Sequence, residues 1–251
     1  MIDVGTDRPL RVAVFFSGSA SGFRYLRDHD PNFGEKYEVV CGFTADPAAS
    51  GVDAFENHDV PVVARDLRSY YGDRDADTSD LDVRRSFDAE SADRIAEFGP
   101  DLVLLSGYMW ILTDPVVDAY PVVNVHPADL TITEDEERVY IGADPVYDAI
   151  ADGRETTRSS VHLVTSDVDA GPLLVLSKPF PVHRELVDAL LEFDATDALR
   201  DYVDAHQEWM KWEGDGPALS TALRLLAAGR VERDGAALMI NGDPGPYDLG
   251  S

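Results

Sequence analysis

The chain has 251 residues, of which 44% are hydrophobic, and its 48 acidic and 21 basic residues give a formal net charge of −27. This length and apolar content predict one α/β domain of ordinary size with a buried core. No apolar stretch approaches the roughly 18 residues of a membrane span. No cluster of basic residues could face a nucleic acid. We therefore expect neither a membrane nor a nucleic acid as partner.

The basic residues include only three lysines, Lys36, Lys178 and Lys211. Scarce lysine with abundant aspartate is typical of cytosolic proteins from salt-accumulating halophiles, where molar salt screens the repulsion between carboxylates. An acidic protein from an ordinary habitat remains the alternative. The polar, acidic start lacks the features of a secretion signal, and the single cysteine, Cys41, lies in an apolar run. The sequence thus predicts a halophilic, cytoplasmic protein with a buried thiol.

Strands and helices alternate along the first half of the chain. The predicted strands cover 10–16, 37–44, 61–64 and 101–105, and the predicted helices cover 22–27, 48–57 and 84–98. The segment 65–82 contains six aspartates and few apolar residues, which predicts a loop.

The second half begins with the same alternation and then becomes helical. Predicted strands cover 120–125, 159–165 and 172–181. Asp114-Pro115 and Asp144-Pro145 each resemble an N-cap followed by proline, which predicts helices over 115–119 and 145–151. Further helices are expected after 184 and over 217–228, and 231–240 predicts a terminal hairpin or strand. The repeated βα units predict a Rossmann-like, mostly parallel sheet with helices on both faces over 1–183, and a helical extension over 184–251 that packs on it.

Two short blocks carry chemistry. Asn124-Val125-His126-Pro127 ends one predicted strand, and His162 lies in another, seven residues before Asp169-Ala170-Gly171-Pro172. Strand carboxyl ends are where open α/β sheets bind ligands, and residues two apart on a strand share a face. An amide, an imidazole and a carboxylate can together stabilise an oxyanion and move a proton. The alternative interpretation is a capped strand end and a turn.

These blocks resemble the folate-dependent formyltransferases. Two more blocks strengthen the resemblance, Ser106-Gly107-Tyr108-Met109-Trp110-Ile111-Leu112 and Ser17-Gly18-Ser19-Ala20-Ser21-Gly22, and all four follow the family's order between about residues 11 and 180. The resemblance implies the formyltransferase fold, 10-formyltetrahydrofolate as co-substrate and a small-molecule amine, expected to be phosphorylated, as formyl acceptor.

By this resemblance the catalytic residues are Asn124, His126 and Asp169. Asn124 and a protonated His126 would hold the developing oxyanion, and Asp169 would orient water and raise the pKa of His126. For His162, the sequence supports a buried core position and a position in the site equally well.

The resemblance also implies two binding sites and no metal site. Expected folate contacts are Tyr108, Met109, Trp110, Ile111, Leu112, Val117, Val164, Thr165, Ser166, Asp167 and Val168. Expected acceptor contacts are Gly18, Ser19, Ala20, Ser21, Gly22 and Pro127. Trp110 stands where many relatives carry arginine, so a charged contact to the glutamate tail of folate would be lost.

The segment 128–139 departs from the family pattern, because it is longer and acidic where relatives border the acceptor. Glycinamide ribonucleotide, an intermediate of purine biosynthesis, is the expected acceptor. An amino-sugar nucleotide stays open as the acceptor, and so does a folate-binding protein without catalysis. The oligomeric state has no signal in the sequence.

Overall fold

A central sheet of eight strands organises the molecule, whose computed structural model describes residues 8–234 and 237–250. The strands within these residues are, in chain order, β1 (Leu10–Phe15), β2 (Tyr37–Thr44), β3 (Val62–Ala64), β4 (Leu102–Leu105), β5 (Val122–His126), β6 (Thr133–Glu134), β7 (Glu137–Arg138), β8 (Thr156–Thr157), β9 (Ser160–Leu163), β10 (Leu173–Leu176), β11 (Phe180–Pro181), β12 (Val231–Asp234), β13 (Ala237–Ile240), β14 (Asp243–Pro244) and β15 (Tyr247–Asp248). The α-helices are α1 (Ser21–His29), α2 (Val52–Glu56), α3 (Leu67–Gly72), α4 (Leu81–Ala96), α5 (Asp114–Val117), α6 (Pro145–Ala151), α7 (Arg184–Glu192), α8 (Thr196–Met210) and α9 (Gly216–Ala227).

The strand order of the main sheet is β15-β10-β9-β5-β4-β1-β2-β3. Neighbouring strands are parallel except around β9, which is antiparallel to both β5 and β10. All four residues of β4 are buried, as expected for a strand covered on both faces. The mostly parallel sheet is therefore confirmed.

Apolar clusters cover the two faces of the sheet. On one face, side chains of α1, α2 and α9 pack against the strands, and on the other face those of α3, α4 and α5 do so. This arrangement confirms the prediction of helices on both faces. The chain after residue 184 is helical through α9 and then forms the small sheet β12–β13–β14, and β15 pairs with β10 at the edge of the main sheet.

Three local predictions were wrong. The segment 65–82 is not a single loop, because Leu67 and Tyr71 are buried against the sheet and α3 begins after Asp66, whose carboxylate accepts the backbone N–H of Ser69 at 2.9 Å. The helix expected over 48–57 is only α2. Asp114 is the first residue of α5 rather than its N-cap, which is Thr113.

Helices α8 and α9 are joined by a π-helical segment, Lys211–Asp215. Pro217 has no N–H to donate and therefore interrupts the normal hydrogen-bond register. A Cβ atom at Gly216 would lie 2.3 Å from the ring of Tyr25, so only glycine allows this segment to pack so closely against α1. The segment consequently lies over the end of the sheet where α1 begins.

Two expectations fall partly outside the described residues. The absence of a secretion signal concerned the first ten residues, of which 1–7 are not described, and the predicted hairpin or strand over 231–240 includes the undescribed residues 235–236. Among the residues that the structure describes, none of the helices has the length and apolar character needed to cross a membrane.

Candidate active site

A cavity of about 380 Å³ opens where β4 and β5 end and where α1 begins. Asn124, His126 and Pro127 form part of its lining, and so do His162 and Asp169. The shared carboxyl edge that the sequence suggested does not explain this convergence, because β9 runs antiparallel to β5. Asn124 instead pairs directly with His162 across the sheet, and the loop after β9 folds back to carry Asp169 to them.

The polar side chains at the cavity wall form one connected cluster around the Asp169 carboxylate. Its Oδ2 atom lies 3.4 Å from Nδ1 of His126, and its Oδ1 atom lies 3.4 Å from Nε2 of His162. The Asn124 amide donates from Nδ2 towards His162 Nε2 at 3.2 Å and Asp169 Oδ1 at 3.4 Å. His162, only 1% exposed, donates from Nδ1 to the carbonyl of Leu163 at 2.9 Å, which leaves Nε2 as an acceptor. His162 is thus a buried residue that also faces the cavity.

His126 lies in the cluster with one nitrogen bound to the backbone. Its Nε2 atom donates to the carbonyl of Tyr140 at 2.8 Å, so Nδ1 faces Asp169. Burial lowers the pKa of His126 by more than the charge of Asp169 raises it. The expected effect of Asp169 on this pKa is therefore present, but burial outweighs it, so the net shift is opposite to the one predicted. The carboxylate is nevertheless placed to stabilise an imidazolium that forms during proton transfer.

Asp169 is ionised despite its surroundings. Burial raises the pKa of this carboxyl, but the protonated forms of His162 and His126, together with the backbone N–H of Gly142, hold it below the usual range. Its backbone has a φ of 51°, in the left-handed region that is uncommon for residues other than glycine. Two residues later, a Cβ atom on Gly171 would lie 1.7 Å from the carbonyl oxygen of Leu163, which explains why glycine is required there.

Two loops form what we call the loop wall, residues 108–112 and 164–168. Nine of the ten predicted folate contacts in these loops line the cavity, five from the first loop and four from the second. Met109 and Ile111 are 69% and 56% exposed, which is unusual for apolar side chains and typical of a ligand slot. The cavity-lining residues of this wall are Tyr108, Met109, Trp110, Ile111, Leu112, Val164, Thr165, Ser166 and Val168.

The first loop of this wall is held at both ends by α4. Arg84 donates to the Tyr108 hydroxyl at 2.8 Å, and Asp88 accepts the N–H and hydroxyl of Thr113, each at 2.8 Å. The guanidinium carbons of Arg84 and Arg68 lie 5.9 and 6.0 Å from the ring centre of Trp110. Positive charge therefore remains beside the tryptophan that replaces the family's arginine.

Two predicted folate contacts lie elsewhere. Val117 is on α5 and faces away from the cavity, because the one-turn helix turns its neighbour Val116 into the core. Asp167 is exposed at the tip of the second loop and does not reach the cavity lining.

The predicted acceptor loop reaches the cavity only at its end. Ser21 and Gly22 line the cavity, whereas Gly18 and Ser19 are exposed away from it and Ala20 is buried beneath it. Ala20 is the N-cap of α1 with a φ of 54°, and this bend turns the preceding residues outwards. The Gly22 N–H, which could have bound an anion, already donates to the Ser106 hydroxyl at 3.1 Å.

Three further lining residues were not predicted from the sequence. Gln207, Lys211 and Asp215, four residues apart on α8 and the π-helical segment, line the cavity, and we call them the helix wall. Burial raises the pKa of Asp215 to about 6, against smaller opposing effects of Ser159 and Lys211. Its Oδ1 atom is buried with no hydrogen-bond partner among residues 8–234 and 237–250. The one signal available was Gly214-Asp215-Gly216-Pro217, four helix-disfavouring residues inside a helical pattern.

Comparison with known proteins assigns the class. Residues 10–191 match the formyl transferase family. The trifunctional purine biosynthetic protein adenosine-3 of Homo sapiens is 30% identical over 178 residues, which are 69% of this chain and 16% of that protein. The chain belongs to the formyl transferase family, the class of folate-dependent formyltransferases.

Individual relatives within that class are similar to parts of the chain. Phosphoribosylglycinamide formyltransferase of Escherichia coli (strain K12) is 33% identical over 102 residues, covering 40% of this chain and 45% of the relative. The chain thus spans less than half the length of these curated relatives. In fold, it superposes on glycinamide ribonucleotide transformylase 1 from Symbiobacterium toebii with a TM-score of 0.69, at 23% identity and with 94% and 95% of the two chains covered.

Proposed function

We propose that this protein transfers the formyl group of 10-formyltetrahydrofolate to the amine of glycinamide ribonucleotide, a step of purine biosynthesis. The observation that carries the proposal is the convergence of Asn124, His126 and Asp169 within 3.4 Å contacts at a cavity bordered by the loop wall. Family membership supports the formyl donor. The name of the Escherichia coli relative supports the acceptor, and that of the Homo sapiens relative supports a step of purine biosynthesis.

The geometry suits attack of an amine on the formyl carbon. Negative charge then develops on the formyl oxygen, and a positioned donor there is worth roughly 2.7–4 kcal/mol in acyl transfer. One Asn124 amide hydrogen leaves its hydrogen bond to His162 or Asp169 and donates to that oxygen instead. The proton lost by the amine passes through ordered water to the Asp169 and His126 pair, and a proton is returned to the folate nitrogen as its bond to the formyl carbon breaks.

The helix wall supports an acceptor that carries hydroxyl groups beside its amine. An ionised Asp215 can accept hydrogen bonds from hydroxyls, and Gln207 and Lys211 can donate to oxygen atoms. A phosphate would lie near the start of α1, where Ser21 offers a hydroxyl and Arg24 lies next to the loop.

The decisive experiment supplies 10-formyltetrahydrofolate to the purified protein in molar KCl and follows the absorbance of the folate product. Three parallel reactions contain glycinamide ribonucleotide, an amino-sugar nucleotide or no acceptor, and mass spectrometry identifies the formylated product. We expect turnover that saturates with glycinamide ribonucleotide and yields its N-formyl derivative.

Each other outcome contradicts this proposal in a distinct way. Equal turnover without an acceptor would indicate hydrolysis, the activity named for a formyltetrahydrofolate deformylase of Bacillus subtilis that is 28% identical over 117 residues. Turnover only with the amino-sugar nucleotide would indicate another acceptor. Folate binding without turnover in any reaction would indicate a binding protein.

A further inference from the structure

Arg138 is the only basic residue in the acidic segment 128–139, and it reaches the loop that carries Asp169. Its Nη1 atom donates to the backbone carbonyl of Asp169, and its Nη2 atom donates to that of Gly171 at 2.9 Å. The guanidinium is half-buried in this position. A single side chain thus bridges the two carbonyls on either side of Ala170.

A short hairpin delivers Arg138 to this position. Strands β6 and β7 pair Thr133 with Arg138, and the two turn residues Asp135 and Glu136 both have positive φ, at 49° and 70°. Two positive φ values are the geometry of a type I′ turn, whose twist matches that of the flanking strands. Behind the hairpin, Ile132 and Val139 pack on a small apolar cluster that contains Tyr140.

The same segment also contacts the other half of the catalytic pair. The carbonyl of Tyr140, two residues after Arg138, accepts the Nε2–H of His126, and the Tyr140 hydroxyl accepts the Arg154 Nε–H at 2.6 Å. The stretch 138–140 therefore bonds to the Asp169 loop at one end and to His126 at the other.

Asp169 has a left-handed backbone, which costs energy for L-residues even though aspartate adopts it more often than most, so hydrogen-bond partners for its peptide groups help to hold it. Without a partner for its carbonyl, the peptide groups of 169–171 are free to relax, and the carboxylate moves with them. A misplacement of about 1 Å in a reacting group can cost about 10²-fold in rate.

We propose that Arg138 is a positioning residue for the formyl transfer, and that the acidic hairpin 133–138 serves to clamp the Asp169 loop against His126. This proposal rests on the proposed function, because its kinetic test requires that the protein transfers a formyl group. It assigns a role to the segment in which this chain departs from its relatives.

The test is a double-mutant cycle of Arg138→Met with Asp169→Asn, measured as kcat and KM for both substrates. Alone, Arg138→Met should lower kcat by about 10–10²-fold and change either KM by less than about threefold. In the Asp169→Asn background it should cost almost nothing more, because the positioned carboxylate is already gone. Arg138→Lys should recover part of the loss, since an ammonium can reach one carbonyl but not both in the guanidinium geometry. Glu137→Gln, an exposed change in the same hairpin, is the matched control and should leave kcat unchanged.

A second measurement needs no turnover. The backbone amide resonances of residues 169–171 should shift in Arg138→Met, with the melting temperature close to that of the unchanged protein, and should stay in place in Glu137→Gln. Equal losses of kcat in both backgrounds, or an unchanged kcat, would overturn the clamp. If the unchanged protein transfers no formyl group, the proposed function fails, and the clamp is judged on these resonances alone, which support it if they move and overturn it if they do not.

Discussion

The loop wall and the helix wall line the same cavity, but they are built in different ways. The loop wall consists of consecutive residues that follow β4 and β9, so its members are neighbours in the sequence. The helix wall consists of Gln207, Lys211 and Asp215, which are four residues apart on α8 and the π-helical segment, more than one hundred positions after β4. The difference teaches that each loop of the loop wall is a local property of the chain, whereas the helix wall is a product of long-range packing.

The largest effect should come from the cluster of Asn124, His126 and Asp169. Asn124→Ala, His126→Ala and Asp169→Asn should each lower kcat by at least about 10²-fold, because each removes a group that acts on the reacting atoms. Steady-state kinetics with circular dichroism as the folding control would measure this. A near-normal kcat in two of the three variants would contradict the assignment of these residues as catalytic.

A change in either wall should affect one substrate only. Asp215→Asn should raise KM for the acceptor about tenfold or more with little change in KM for the folate, since a hydrogen bond to a charged group is worth about 1.5–3 kcal/mol. Met109→Ala is the matched change in the loop wall and should raise KM for the folate alone. If both variants shift the same KM, the division of the cavity into two sides is wrong.

The pKa of Asp215 gives a second test of whether the two walls bind different substrates. Because burial raises its pKa to about 6, the carboxylate takes up a proton as the pH falls through that value and loses its charge. We expect KM for the acceptor to rise below pH 6 in the unchanged protein and to vary less in Asp215→Asn. KM for the folate should not change in this pH range in either protein. Measuring both KM values as a function of pH would check this.

His126 should titrate below the ordinary histidine value of about 6.5. Burial lowers its pKa and the charge of Asp169 partly opposes this. Removing that charge in Asp169→Asn should therefore lower the pKa further, and a nuclear magnetic resonance titration of the ring protons would measure both values. A higher pKa in the variant would mean that Asp169 does not act on His126 through its charge.

The smallest effect per residue should lie outside both walls, on the acidic surface. With a net charge of −27, melting temperature should rise with KCl from about 0.1 to about 3 M, most steeply at the low end, because screening saturates as the Debye length falls to about 3 Å. Preferential exclusion of salt would keep acting at the high end instead. A flat melting temperature would contradict the halophilic interpretation.

Much of the fold could be predicted from the sequence because the information was local. The apolar run at Leu102–Leu105 and the Asn124 to Pro127 block each lie within a few residues, and strand alternation alone brings Asn124 and His126 onto one face. Local patterns also failed where packing competed with them. The aspartates of 65–82 suggested a loop, but two buried side chains, Leu67 and Tyr71, were enough to hold α3 against the sheet.

The sequence by itself determined the class of chemistry, because an amide, an imidazole and a carboxylate in short ordered blocks restrict what a site can do. Only the tertiary structure decided how those groups meet. The antiparallel course of β9 and its returning loop bring Asp169 to Asn124, burial rather than the Asp169 charge sets the direction of the His126 pKa shift, and close packing at Gly216 brings Asp215 to the cavity. These outcomes depend on desolvation and on contacts between residues far apart in the chain, which no window of neighbouring residues contains.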